Sequence, residues 1–156
     1  MKTSRLLLVL IAALSMSLLV SACGDDDDEG SGGSEPAAQE ESAEKVTLTA
    51  DEYTFELSAT PTPETKSVTF KNNGEQFHVM IFARLNKGFT LDEAFKMQGR
   101  GGSAVQIAET EAPPGKSSTV QITKPLKPGR YVMLCPIGGP RGPHYKLGQL
   151  ERFELS

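Results

Sequence analysis

From residue 46 onward, apolar and polar residues alternate along much of the chain. Val46, Leu48 and Ala50 alternate with Thr47 and Thr49, and Tyr53, Phe55 and Leu57 alternate with Thr54 and Glu56. Successive strand side chains point to opposite faces, so a period of two predicts half-buried strands. Val68 and Phe70 give another strand after the turn-rich Pro61-Thr62-Pro63-Glu64. Residues 78–84 form a mostly apolar run, Val120 and Ile122 a short alternation, and residues 131–135 and 150–155 two further strands. Between them Asn72-Asn73-Gly74, Pro113-Pro114-Gly115 and Pro128-Gly129 are turn signals. Short strands at this spacing predict an all-β sandwich or barrel. One segment breaks the pattern. Thr90-Leu91-Asp92-Glu93 is a capping box leading into Ala94-Phe95-Lys96-Met97, and Gly99 with Gly101-Gly102 stops it. This predicts a single short helical insert at residues 91–97.

The N-terminus carries an apolar run of another kind. Residues 6–14, extended to Val20 with interspersed Ser, follow the basic Lys2 and Arg5. This is the layout of a signal-peptide core ending in small residues; an uncleaved anchor helix is the alternative. Val20-Ser21-Ala22-Cys23 resembles the bacterial lipobox. The resemblance implies cleavage before Cys23 and a diacylglyceryl thioether on Cys23, usually with an amide-linked acyl chain such as palmitate. The mature protein would then be held at the extracytoplasmic (periplasmic) face of the cell membrane. Several acyl chains give a lasting anchor where one gives only marginal binding.

Residues 24–44 contain no aromatic, no β-branched residue and no base. Such a segment cannot bury enough apolar surface to offset its ordering entropy, so a disordered acidic tether is expected. The run Asp25-Asp26-Asp27-Asp28 reads as solvated spacer, with a cation site as the alternative. The chain therefore divides into a signal peptide (1–22), a lipidated Cys with a flexible linker (23–44) and one domain (45–156).

Composition sharpens this division. The 156 residues carry a formal net charge of −4. The linker holds nine acids and no base, whereas residues 45–156 hold fourteen bases against eleven acids, a net of +3. The overall balance is not that of a nucleic-acid binder. Two Cys and two His are too few for zinc fingers, iron–sulfur clusters or multicopper oxidases. There is no Cys-x-x-Cys-His for c-type haem.

The residue types able to bind metal are few. With Cys23 lipidated, Cys135 has no disulfide partner in the chain. Alone it reads as a small buried residue filling core space. The two histidines change the balance. His78 follows the Asn-Asn-Gly turn and heads a strand, and His144 lies nine residues after Cys135 on a Gly/Pro-rich loop. Two imidazoles and a thiolate are the trigonal set of a blue-copper site, completed by a weak axial Met, Gln or backbone oxygen.

In this arrangement the chain resembles the cupredoxin family, the plastocyanin-like copper proteins. Gly129-Arg130-Tyr131-Val132-Met133-Leu134-Cys135 is similar to that family's Gly-x-Tyr-x-x-x-Cys strand end. His144-Tyr145-Lys146-Leu147-Gly148-Gln149 follows in register, with Gln149 where the family usually has Met. The resemblance implies a cupredoxin-like Greek-key β-sandwich or barrel. It also implies one type 1 copper ion held by His78, Cys135 and His144 with Gln149 axial. Electron transfer to an extracytoplasmic redox protein or membrane complex would follow, with the edge of His144 as the port. An axial amide oxygen implies a lower potential than Met. Val79 stands where many members have Asn after the first His to clamp the ligand loop.

If His78 and Cys135 point inward, strand alternation makes Met80, Phe82, Met133 and Tyr131 point inward too. The alternative reading is a copper carrier or metal-free binding module without redox turnover. No enzyme activity, no nucleic-acid partner and a monomer are expected. A single type 1 site has no open substrate position, and the chain has no nucleophile elbow.

Overall fold

The computed structural model describes residues 43–156. The signal segment, Cys23 and all but the last two tether positions lie outside the described residues. Among the described residues no helix is long and apolar enough to cross a membrane.

Two four-stranded sheets make a sandwich. The first has the order β2-β1-β3-β6, formed by β1 (Lys45–Ala50), β2 (Phe55–Leu57), β3 (Ser67–Asn72) and β6 (Ser117–Gln121). β1 runs parallel to β3, from Lys45 opposite Ser67 to Ala50 opposite Asn72. The second sheet has the order β10-β7-β4-β5 and is antiparallel throughout. It consists of β4 (His78–Leu85), β5 (Ala104–Ala112), β7 (Gly129–Leu134) and β10 (Leu150–Leu155). A small hairpin, β8 (Gly138–Gly139) with β9 (Gly142–Pro143), sits between β7 and the one-turn helix α2 (His144–Leu147). The other helix is α1 (Leu91–Lys96). This is the all-β class with one short helical insert that the alternation predicted.

The core follows from that alternation. Leu48, Ala50, Val68 and Phe70 from the first sheet meet Met80, Phe82, Tyr131 and Met133 from the second, all buried. Fully burying one such side chain contributes about 1.5–3 kcal/mol. The inward positions expected on either side of His78 and Cys135 are thus core residues.

β7 is buried on both faces. Val132 and Leu134 point away from the main core into a second cluster with Ala83, Leu85, Ala94 and Tyr145. The cover on that outer face is α1. Its capping box is complete: Glu93 N–H donates to Thr90 Oγ1 at 3.2 Å, and Thr90 N–H donates to Glu93 Oε2 at 2.8 Å. The insert therefore lies over the back of the sheet. It meets α2 through Phe95, whose ring is 4.7 Å from that of Tyr145, and through Asp92, whose carboxylate is 3.6 Å from Lys146 Nζ.

Three local features differ from the expectation. β5, at nine residues, has no counterpart in the periodicity, because this edge strand is exposed along much of its length and carries polar residues on both faces. β2 begins at Phe55, so Tyr53 belongs to the loop before it. β6 ends at Gln121, which leaves Ile122 just beyond the strand.

Candidate metal centre

His78 and Cys135 are placed by strand ends and His144 by a turn of helix. His78 is the first residue of β4, and the turn before it is pinned by the buried side chain of Asn72. Asn72 Nδ2 donates to the carbonyls of Gln76 (2.7 Å) and Ala112 (2.8 Å), and its Oδ1 accepts from Gly74 N–H at 2.9 Å. Cys135 follows the last residue of β7. Its N–H donates to the Gln149 carbonyl (3.1 Å) and its carbonyl accepts from Tyr145 N–H (3.0 Å). His144 opens α2, with its N–H on the Ile137 carbonyl at 2.8 Å. The loop of 136–143 is thus closed at its base by backbone hydrogen bonds.

The three side chains converge. Cys135 Sγ is 3.9 Å from His78 Nδ1 and 3.7 Å from His144 Nδ1, and the two Nδ1 atoms are 3.3 Å apart. All three residues are buried, His144 at 2% exposure. Burial holds the His78 pKa below its ordinary value, with the neighbouring His144 acting in the same direction. Burial also raises the Cys135 thiol, while the Val79 and Ile137 N–H groups, aimed at the sulfur, pull the other way. Val79, which has no side-chain amide to clamp the ligand loop, thus reaches the sulfur through its backbone N–H.

The donor set fits a copper ion. Two imidazoles and one sulfur supply soft and intermediate donors to a single point, and Cys135 belongs to the same buried apolar cluster as Met80 and Met133. His78, Cys135 and His144 are also the group of potential ligands, among the described residues, whose donor atoms all lie within 4.8 Å of one another.

Gln149 is fully buried beside this group. Its Nε2 donates to the Asp51 carbonyl and lies 3.2 Å from His78 Nε2, the ring nitrogen that does not face Cys135. Its Oε1 is buried without a hydrogen-bond partner. Such an orphaned acceptor is costly unless something else satisfies it. It is therefore a donor atom available to a cation in the group.

Several contributors were not singled out from the sequence. Tyr53 packs edge-on against the His144 ring, with centroids 5.5 Å apart, and the Arg141 guanidinium lies 4.3 Å from the Tyr53 ring centre. The edge of His144, expected to be open to solvent, is thus covered. Hydrogen bonds from Gln76 and Arg141 hold the Tyr53 phenol below its ordinary pKa. The Glu52 carboxylate accepts from the N–H groups of Glu75 (2.6 Å) and Gln76 (3.0 Å), just ahead of His78. These contacts join residues 23 or more positions apart. A polar and an aromatic residue between two short strands give no local signal of them.

No protein-family profile and no curated protein matches the chain. Solved structures do. Dithionite-reduced auracyanin from the photosynthetic bacterium Roseiflexus castenholzii superposes with a TM-score of 0.51 at 25% identity, covering 72% of this chain and 96% of that one. Auracyanin A from Chloroflexus aurantiacus, described as a "blue" copper protein, gives 0.47 at 22% identity, covering 72% and 99%. Reduced rusticyanin gives 0.46 at 16% identity, covering 72% and 80%.

Proposed function

We propose, taking the chain as a cupredoxin-like domain whose His-Cys-His group fits one type 1 copper, that it relays single electrons at the outer face of a membrane. The observation that carries this reading is the convergence of His78 Nδ1, Cys135 Sγ and His144 Nδ1 in a buried, apolar setting. Copper, when bound, would supply a one-electron Cu(II)/Cu(I) couple. The residues do the rest. His78, Cys135 and His144 would hold the ion, with Gln149 Oε1 as weak axial donor. The donors stand together, fixed by strand ends and backbone hydrogen bonds, so little rearrangement is needed on changing oxidation state. Burial keeps water away from the sulfur. Electron exchange runs through the His144 side, beneath Tyr53 and Arg141. The partner is an extracytoplasmic redox protein or membrane complex, and Cys23 is the lipid-bearing residue that keeps the domain near it.

A second reading, a copper carrier without redox turnover, is favoured by Gln149 in the position where Met would be axial. Titrating the purified full chain with Cu(II) tests both. Stoichiometric uptake with an intense thiolate-to-copper charge-transfer band is expected, and that band is lost in Cys135→Ser. A reversible voltammetric wave supports the relay; uptake without one leaves the carrier. No colour and no stoichiometric binding would sink both.

A further inference from the structure

Between β1 and β2, three consecutive residues reach Gln149, the turn before His78, and His144. The Asp51 carbonyl accepts from Gln149 Nε2, which in turn lies 3.2 Å from His78 Nε2. The Glu52 carboxylate accepts from Glu75 and Gln76 N–H at 2.6 and 3.0 Å, fixing the turn that delivers His78. The Tyr53 ring stands edge-on to His144 at 5.5 Å and carries Arg141 of the β8–β9 hairpin at 4.3 Å. The Tyr53 carbonyl packs directly on Gly148, between His144 and Gln149. Gly148 has a φ of +133°, and a Cβ there would collide with that carbonyl. The loop is closed on itself by Asp51 N–H on the Thr54 carbonyl at 3.2 Å, and Ala50, just before it, accepts from Asn73 N–H at 2.8 Å.

We propose that the loop of residues 51–54 is a strap that positions both histidines of the metal centre, with Glu52 and Tyr53 as its positioning residues. The two His-bearing segments belong to different parts of the chain, 66 residues apart. The β4–β7 ladder sets their strand register. The strap adds a second tie at the metal end, because Glu52 holds one segment while Tyr53 and the Asp51 carbonyl hold the other. Groups that orient a metal-binding imidazole from behind typically change metal affinity by about 10–100-fold when removed. The same ring and guanidinium pack over His144, so loosening the strap should also open the way to the buried Cys135.

The proposal rests on the copper-site reading for its purpose but not for its test. All variants are made in a Cys23→Ser full chain, which leaves Cys135 as its single thiol. The rate at which Ellman's reagent modifies Cys135 is measured without metal. Release of Cu(I) to a chelator is measured separately. Tyr53→Ala and Glu52→Ala are expected to accelerate both by about tenfold or more. Tyr53→Phe keeps the ring on His144 and should stay within about twofold of the parent chain, because the hydroxyl's contacts with Gln76 Nε2 (3.4 Å) and Arg141 do not involve either histidine.

Ile122→Ala, a buried truncation at the opposite end of the sandwich, controls for general loosening, and melting temperatures place all variants on one scale. Faster Cys135 modification in Tyr53→Ala and Glu52→Ala than in Ile122→Ala at matched stability supports the strap. Equal rates at matched stability, rates unchanged from the parent, or Tyr53→Phe behaving like Tyr53→Ala would overturn it. If the chain takes up no copper, the copper reading fails while the thiol measurement still decides the strap.

Discussion

On the copper reading proposed above, Gln149 is the single side chain that would set the character of the centre. Its amide nitrogen is engaged by the Asp51 carbonyl, and its oxygen is buried with nothing to accept from. An amide oxygen is a harder donor than a thioether and favours Cu(II) over Cu(I). Gln149→Met is therefore expected to raise the midpoint potential of the copper-loaded chain, read by voltammetry. An unchanged potential would remove Gln149 from the ligand set.

Tyr131 makes a second prediction at this scale. Its hydroxyl donates to the Lys127 carbonyl at 2.6 Å, and burial raises its pKa. In the unfolded chain the phenol ionises near pH 10, before it does in the folded protein. The unfolded state then binds fewer protons, so stability falls as pH rises through that window. The advantage of the parent chain over Tyr131→Phe should hold up to about pH 10 and shrink above it. Denaturant titrations at a series of pH values measure this, and parallel curves would contradict it.

At the scale of elements, Asn72 ties the two sheets at the metal end. It sits at the end of β3 yet donates to the Ala112 carbonyl at the end of β5. Asn72→Ala would leave two carbonyls and the Gly74 N–H without this partner, each unsatisfied buried group costing about 1–3 kcal/mol. A loss of about 3 kcal/mol in chemical denaturation is expected. Loss of less than about 1 kcal/mol would mean that water replaces the amide.

What could be read from the sequence divides along the same line. Strands with one buried face, such as β1 and β3, announced themselves through alternation, β4 as a mostly apolar run, and α1 through its capping box. The ligand triad was legible because Cys and His are so rare in this chain. β5 was not, because an edge strand with both faces partly in water needs no alternation. Nor was the strap. Tyr53 falls in phase with Phe55 and Leu57, so its aromatic ring reads as another strand position. Its partners are Gln76, Arg141 and His144, and pairings at that distance leave no local trace.

Over the whole molecule, the chain average conceals a charge separation. The net −4 comes from the acidic linker, while residues 45–156 carry +3. Lipidation at Cys23 gives its own test. Cys23→Ser should shift the expressed protein from the membrane fraction to the soluble fraction, followed by immunoblot. Retention in the membrane would instead favour an uncleaved apolar N-terminal helix.

The direction of β1 carries one more consequence. Its first residue, Lys45, pairs with Ser67 at the pole where Ile122 N–H meets the Lys66 carbonyl, and its last, Ala50, pairs with Asn72 at the metal end. Six strand residues, roughly 20 Å of rise, therefore separate the point where the chain enters the domain from the copper ligands. Lys45 and the copper ligands therefore lie at opposite poles of the sandwich, and a partner approaching Tyr53 and Arg141 would meet the pole opposite Lys45.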